Sequence, residues 1–497
     1  MVYINCMNKS EKLSARDREF LGLLAEAAAT NPFSDEYNAL LLKIAECDAS
    51  APAEDRYQKI VARMSGEVRR MEEGLSIDVR QYAGDDRQLL SHAIMFDVYH
   101  RYLPSLDQLI ASQIEAGERL VPAPFADELL RLLARRGFSD GEAQRYFAIL
   151  YQIRRAFFFI DRGLVGRSES MKRLRRHLWN NVFTHDIRLY ERYLWNRMED
   201  FSTMLLGETG AGKGAAAAAI GRSGFIPFDG KKKAFAESFA RSFTSLNLSQ
   251  FPESLIESEL FGHKKGAFTG AVEAHEGIFA RCSSCGAIFL DEIGDASVPI
   301  QIKLLHVLQD RMFSPVGSHE MLRFRGRIIA ATNKPLDSLR RAGQLRDDFF
   351  YRLCSDVITV PSLRQRIAEE PAELEDLIAL IVRRLTGESA PGTVSMVRRA
   401  LLASLGTDYA WPGNVRELEQ AVRRVLLTRQ YQCDWTADAP DLCGKLQAGI
   451  AEGKLDADSL LSGYCRLLYQ RLGTYEEVAR RVKLDRRTVK AYIGKQP

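Results

Sequence analysis

Apolar residues recur at three- and four-residue spacing through the first third of the chain, at 17–30, 36–47 and 127–136, among Arg, Glu and Ala. That period gathers the apolar side chains on one face and predicts helices. Hardly any β-branched runs interrupt the pattern before about residue 160. The character changes near Gly163. From Thr203 onward short apolar runs alternate with helical segments, as in a parallel α/β layer, with strands predicted at Thr203–Leu206, 287–290, 327–331 and 356–360. Helical periodicity resumes over 370–430. A polar stretch with Asp and Gly reads as a linker, and the end of the chain returns to helix.

A length of 497 residues exceeds what one core fills. The expected domains are therefore 1–160 (helical), 163–365 (an α/β nucleotide-binding core), 366–433 (a helical lid), 434–455 (a linker) and 456–497 (a helix-turn-helix). The net charge of +4 is small for this length, so any nucleic-acid contact must come from a local patch. Eight scattered cysteines, no signal-peptide pattern and no apolar run of membrane-spanning length point to a reducing cytoplasm and no membrane. Cys282 and Cys285 form the one C-x-x-C. Without a second pair it reads as two unlinked thiols rather than half a zinc site or a redox pair.

The strongest chemistry lies in Gly207, Glu208, Thr209, Gly210, Ala211, Gly212 and Lys213, a G-x-x-x-x-G-K between the apolar Met204–Leu206 and an alanine-rich helix. In a strand–loop–helix setting this run binds phosphates: glycines let the backbone wrap them, and the helix N-terminus faces their charge. Lys213 reaches the outer phosphates. Gly214 stands where most such loops place a Ser or Thr for Mg²⁺, which leaves the metal to waters and a downstream carboxylate. A Gly-rich turn with a surface lysine is the plain alternative, and it weakens once the partner motif is found. The apolar strand at 287–290 runs into Asp291 and Glu292. Asp291 is then placed for the metal and Glu292 to polarise an attacking water. Two such acids often merely cap a helix; after a phosphate loop at this distance, ATP hydrolysis is the better reading.

With these motifs the stretch from Gly163 to Arg429 resembles the central AAA+ domain of sigma-54-dependent activators, the bacterial enhancer-binding proteins. The most diagnostic element is Gly266, Ala267, Phe268, Thr269, Gly270 and Ala271, preceded by an E-S-E-L-F-G-H run ending at His263. The resemblance implies a loop that contacts the sigma factor, with Phe268 carried beyond the body between small residues. It further implies Asn247 as the switch asparagine pairing with the catalytic glutamate, and Asn333 as the sensor of the γ-phosphate. Arg346 and Arg352 become arginine fingers for a neighbouring subunit, Arg416 a second sensor in the lid, and Gly166 part of the adenine-side entry. Taken singly, each arginine would pass for a solvated helix charge; their joint order decides otherwise. The partners implied are the sigma-54 RNA polymerase holoenzyme and further copies of the chain in a ring, by resemblance a hexamer; the cofactors are ATP and Mg²⁺.

The chain departs from the family at Gly214, where Glu is usual, in an extra aromatic and charged segment at 184–200, and in an irregular stretch at 230–243. Gly214 bears on the helix start and on metal binding without abolishing hydrolysis, whereas the 184–200 segment has no role legible from sequence. The 1–160 region lacks the acidic pocket of a phosphorylated receiver, so control by a partner protein or a ligand is expected. At the other end Thr474 and Glu477 form a capping-box pattern before one helix, and a short turn leads to a second at 486–493. Arg486, Arg487, Thr488 and Lys490 stand where a helix-turn-helix reads double-stranded DNA; a wet basic hairpin is the alternative. The whole reads as a transcription activator that hydrolyses ATP to remodel the sigma-54 polymerase closed complex. A DNA-binding regulator with an ATPase impaired at Gly214, or a remodeller of another client, are the rivals.

Overall fold

The computed structural model describes residues 11–47, 58–64, 66–67, 70, 77–431, 442–451, 453 and 455–494. The chain forms two compact units. The first runs to Arg398 and includes Tyr409–Leu426; the second joins Arg399–Asp408 to the chain from Leu427 on.

The first unit begins with helices α1 (Ala15–Ala29), α2 (Asp35–Ala45), α3 (Gly84–Ala116), α4 (Ala126–Arg135) and α5 (Asp140–Gly163). Three of these start where side chains take up orphan amides of the first turn: Ser14 caps α1, Ser34 caps α2, and Ser139 with Glu142 makes a reciprocal capping box on α5. Apolar faces bearing Leu24, Ile44, Leu106, Leu129 and Phe147 close a common core.

The α/β layer is a five-stranded sheet in the order β4-β5-β8-β1-β9: Phe243–Asn247, Ala287–Asp291, Arg327–Thr332, Thr203–Leu206 and Asp356–Thr359. Every pairing is parallel. Side-chain alternation sends Ile288, Leu290, Ile328 and Ala330 to one face and Phe289, Ile329 and Ala331 to the other. Both faces are covered, which is why the inner strands read as continuous apolar runs. On one side lie α9 (Val298–Asp310), reached after α8 (Glu253–Phe261), and α10 (Asp347–Leu353); on the other lie α6 (Glu169–Phe183) and α7 (Lys213–Gly221). Two short hairpins stand outside the sheet, β2–β3 (Phe228–Asp229, Ala234–Phe235) and β6–β7 (Met312–Phe313, Leu322–Arg323).

The expected boundary at 160 falls inside α5. The first part of that helix packs Phe147 among the N-terminal helices, while Ala156 and Ile160 pack with Leu178 of α6 and Ala217 of α7. The two stretches that sequence left without a role form the rest of the seam. Phe228 and Phe235 of the β2–β3 hairpin lie against Phe147 at 4.7 and 5.3 Å between ring centroids. In the 184–200 segment Tyr190 is fully buried and Trp195 packs edge-on against Phe225 at 4.7 Å.

Helices α11 (Ala372–Thr386), α12 (Pro391–Leu405) and α13 (Asn414–Thr428) follow the sheet. Of the linker expected at 434–455, residues 434–441, 452 and 454 lie outside the described residues, and α14 (Leu442–Ala451) is helical. Helices α15 (Ala457–Leu472), α16 (Tyr475–Val482) and α17 (Arg486–Gly494) then enclose Cys465, Leu468, Val478 and Val489. Among the described residues no helix is long and apolar enough to cross a membrane.

Candidate functional site

Parallel strands bring their C-terminal ends to one edge, and the loops leaving β1, β4, β5 and β8 meet there. The loop after β1 needs its glycines. Gly207 has φ +155° and an added Cβ would stand 2.7 Å from the Val360 carbonyl oxygen; Gly210 has φ +77° and a Cβ would stand 2.3 Å from that of Gly413. Lys213 is buried and folds back over the loop, donating to Gly207 O at 2.9 Å and Glu208 O at 3.2 Å. Those carbonyls hold the ammonium beside the loop that carries the first amides of α7. The cradle fits a polyphosphate in residue type and in backbone shape. Gly214 lies inside the first turn of α7 with only the Phe289 ring, at 4.0 Å, near an added Cβ. No crowding excludes a side chain there.

The remaining groups converge through the sheet register. Asn247 is paired with Asp291 across β4 and β5, so both side chains leave the same face, and Asn247 Nδ2 donates to Asp291 Oδ2 at 3.4 Å. The expectation paired Asn247 with the glutamate instead. Glu292 leaves the strand in a left-handed conformation, φ +54°, and this turns its carboxylate toward β8. There it accepts from the Asn333 amide N–H at 3.3 Å, while Asn333 Nδ2 donates to Thr209 Oγ1 at 2.9 Å. Asn333 thus spans the glutamate and the phosphate loop. Asp291 supplies carboxylate oxygens of the kind Mg²⁺ takes, while the Asn247 Oδ1 is engaged by the Ser249 N–H and hydroxyl, at 3.0 and 2.7 Å.

The start of α13 closes on the same loop. Asn414, buried with φ +53°, donates to Glu208 Oε2 and Thr209 O, both at 3.1 Å, and accepts from the Leu363 N–H at 2.7 Å. Val415 N–H donates to Gly210 O at 3.1 Å, and Arg364 forms an ion pair with Glu208. Arg416 is exposed, its Cβ close to where one on Gly210 would stand. Asn414 and Arg364 were missed from sequence, although a Pro-Gly-Asn run at 412–414 marks a forced turn. Gly166 has φ +154° and sits against the buried Arg366–Glu373 pair (2.7 Å), so a Cβ would strike the Glu373 carboxylate. Burial pushes Glu373 up, but the hydrogen bonds from Ser168 and the Arg366 charge outweigh it and hold the carboxyl below its usual range.

Arg346 and Arg352 make no contact with this chain's own phosphate loop among the described residues. Arg346 is tied to Asp348 at 2.7 Å and Arg352 donates to Leu308 O at 3.0 Å; both lie at α10 beside the exposed Tyr351. The 266–271 loop is closed at its base by Gly266 N–H on Ala271 O at 2.8 Å, and its tip lies against the β6–β7 turn, where a Cβ on Gly317 would meet Ala267 at 2.8 Å. Phe268 is half-exposed and rests edge-on against His263, 4.9 Å between centroids, rather than standing clear of the body. His263 is itself fixed by Ser258 of α8 at 2.7 Å and by Glu273 O at 3.0 Å.

At the start of α17 Asp485 accepts from the N–H groups of Arg487 and Thr488, at 2.9 and 3.0 Å, and from the Thr488 hydroxyl. Arg486 is paired with Glu476 at 2.8 Å. Arg487 and Lys490 are exposed. Cys282 and Cys285 are free thiols, pushed up by burial to about 12 and about 11, and so are protonated and inert at neutral pH.

Comparison with known proteins places this geometry among relatives. The family model described as "Sigma-54 interaction domain" matches residues 185–359. The chain is 40% identical over 227 residues to the hydrogenase transcriptional regulatory protein HoxA of Cupriavidus necator (46% of this chain, 43% of that protein). It is 38% identical over 242 residues to the sigma54-dependent transcriptional activator SfnR of Pseudomonas putida (48% and 60%). With the transcriptional regulatory protein ZraR of Klebsiella oxytoca it shares 35% identity over 345 residues, 67% of this chain and 69% of that one. The chain spans 43% of HoxA and 40% of the Nif-specific regulatory protein of Azotobacter vinelandii.

Proposed function

Because the chain belongs to the family of sigma-54-dependent transcriptional activators, we propose that it hydrolyses ATP in a ring of identical subunits to open sigma-54 promoters. The observation that carries this reading is Asn333, held between Glu292 and Thr209. It links the residue suited to orient water to the loop suited to hold phosphates, which is what coupling hydrolysis to movement requires.

The amides and glycines of 207–212 and Lys213 would hold the phosphates, and Asp291, steadied by Asn247, would hold the Mg²⁺. When bound, the metal would neutralise charge on the phosphate oxygens. Glu292 would draw the proton of the attacking water, and Asn333 would keep that carboxylate aimed. Arg346 and Arg352, turned away from their own loop, suit a role across a subunit interface, where they would stabilise developing charge in trans; a hexamer is the ring proposed. Phe268 would be released from His263 to engage the sigma factor. Arg416 would register the nucleotide from α13. The α16–turn–α17 unit would act as the helix-turn-helix, with Arg487 and Lys490 toward DNA. Arg486 and Thr488, engaged by Glu476 and Asp485, would then first serve to order the reading helix.

The test is ATP turnover against protein concentration, with promoter opening by sigma-54 polymerase followed in the same reaction. Turnover should rise cooperatively, fall by about 10²–10⁴-fold in Glu292→Gln, and open complexes should require it. Robust turnover that never yields open complexes would overturn the reading.

A further inference from the structure

A cavity of about 530 Å³ lies between the N-terminal helices and the start of the α/β layer, well within the size of small-molecule sites. Its walls are mainly apolar and strongly aromatic: Phe96, Tyr99, Tyr146, Phe157 and Trp179 all face it. Among the described wall residues one acid interrupts them, Glu191, supplied by the extra segment at 184–200. Its side chain is only 18% exposed. Tyr146 hydrogen-bonds to it and His92 approaches at 3.6 Å, longer than a good hydrogen bond. These partners outweigh burial, the largest influence, and hold the carboxyl below its usual range, so it is ionised at neutral pH.

Among the described wall residues the cationic groups are already engaged: the guanidinium of Arg154 is taken by both oxygens of Asp107, at 2.5 and 2.6 Å, and stands over the Phe157 ring, and His92 faces Glu191. His100 is pushed down to about 4 by burial and is uncharged. Ring faces that attract cations, together with one buried carboxylate, make a site for an ammonium group on an apolar frame. We propose that this cavity is an effector site for a small aromatic amine, its ring among the aromatic walls and its ammonium at Glu191.

The cavity also has a physical route to the phosphate loop, and this part rests on the ATPase reading above. Helix α5 lines the cavity with Tyr146, Ile149 and Ile153. From the same helix Gln152 donates to Ser223 O at 2.9 Å, and Arg155 donates to Arg222 O and Gly224 O, both at 2.8 Å. Those carbonyls close the C-terminal end of α7, whose N-terminal end is the phosphate loop. Tyr190, the neighbour of Glu191, donates to Gln152 Oε1 at 2.9 Å. Adjacent residues of one segment therefore touch the ligand position and the clamp on α7. An amine drawing on Glu191 changes the setting of Tyr190, and through Gln152 that of α7.

The test uses the full chain, with calorimetry and thermal melting against 2-phenylethylamine, 2-phenylethanol and phenylacetate. The amine should bind and raise the melting temperature, and the acid should not. Glu191→Gln should weaken the amine by about tenfold or more while leaving the alcohol unchanged, and Ile149→Trp should exclude both. No binding of the amine, binding of the acid as tight as that of the amine, or amine binding indifferent to Glu191→Gln would overturn the proposal. Turnover of ATP with and without amine tests the route. It should change in the native protein and stay constant in Tyr190→Phe, which still binds amine; a change that persists in Tyr190→Phe would refute transmission through that hydroxyl. A protein that binds amine and never turns over ATP would count against the ATPase reading and leave the binding site standing.

Discussion

Gly210 in the phosphate loop and Gly214 in the first turn of the helix that follows sit four positions apart and are expected to respond oppositely to the same substitution. In Gly210→Ala the new methyl meets the Gly413 carbonyl in a left-handed backbone; the conformation alone costs about 1–2 kcal/mol, and relieving the contact moves Asn414 off the loop. Nucleotide affinity and melting temperature should both fall. In Gly214→Ala the methyl enters open space inside a helix, where replacing glycine stabilises by about 0.5–1 kcal/mol. Melting should rise, with nucleotide affinity retained; a drop would mean the helix start needs flexibility at 214. At this scale much of the site was legible, because motif and spacing put Lys213 in the loop and helix that follow one parallel strand and Asp291 and Glu292 at the end of another. The partner of Asn247 was not. It depends on the β4–β5 register and on the left-handed turn at Glu292, and no local pattern reports either. Asn414 escaped for a similar reason: its contacts are about two hundred residues away in sequence and its role is to seat the lid helix rather than to do chemistry.

Helices and inner strands followed their periodicities, and the edge strand at one side did not. Phe243–Asn247 carries Thr, Ser and Asn and only one buried side chain, so it shows no apolar run. The opposite edge, β9, is tied to α6 by His177, whose ring nitrogen lies 3.0 Å from Asp356 Oδ1. The hydrogen bond to Asp356 outweighs burial and holds His177 above its usual range. Burial pushes Asp356 up, but bonds from His177 and Asn181 hold it below. The contribution of the histidine is therefore complete below about pH 6.5 and fades as pH rises through its raised folded value, whereas that of the aspartate is present above about pH 3.9 and is lost as pH falls. Melting followed from pH 5.5 to 9 should show a decline on the alkaline side that His177→Asn flattens. A second attachment is less forgiving. Arg155 is wholly buried on α5 and donates to two carbonyls at the end of α7. Arg155→Met should cost about 1–3 kcal/mol for each carbonyl left without that donor, read as a lower midpoint in urea. An unchanged midpoint would mean that water replaces the guanidinium and that α5 is not clamped to α7.

For the whole molecule, the expected division at 160 sets the N-terminal helices apart as a controlling domain, and the packing joins them to the α/β layer. Helix α5 is one continuous element with Phe147 in one core and Ile160 in the next. Phe228, Phe235 and Phe239 of the α/β layer are buried against the N-terminal helices, and Trp179 faces their cavity. This seam was invisible in sequence because its partners lie far apart along the chain. The segments that make it, 184–200 and 230–243, registered only as irregularities. Removing residues 1–163 would strip those aromatics of cover and leave the carbonyls at the end of α7 without Gln152 and Arg155. An exposed apolar patch of that kind drives aggregation. The fragment 164–431 should therefore be insoluble or melt without cooperativity when produced alone, and producing 1–163 alongside it should restore a soluble complex. If the fragment alone instead melts cooperatively and hydrolyses ATP at the native rate, the two layers are independent. The seam would then be only a docking surface, and control of the ATPase by the N-terminal helices would have to act by masking rather than by shared structure.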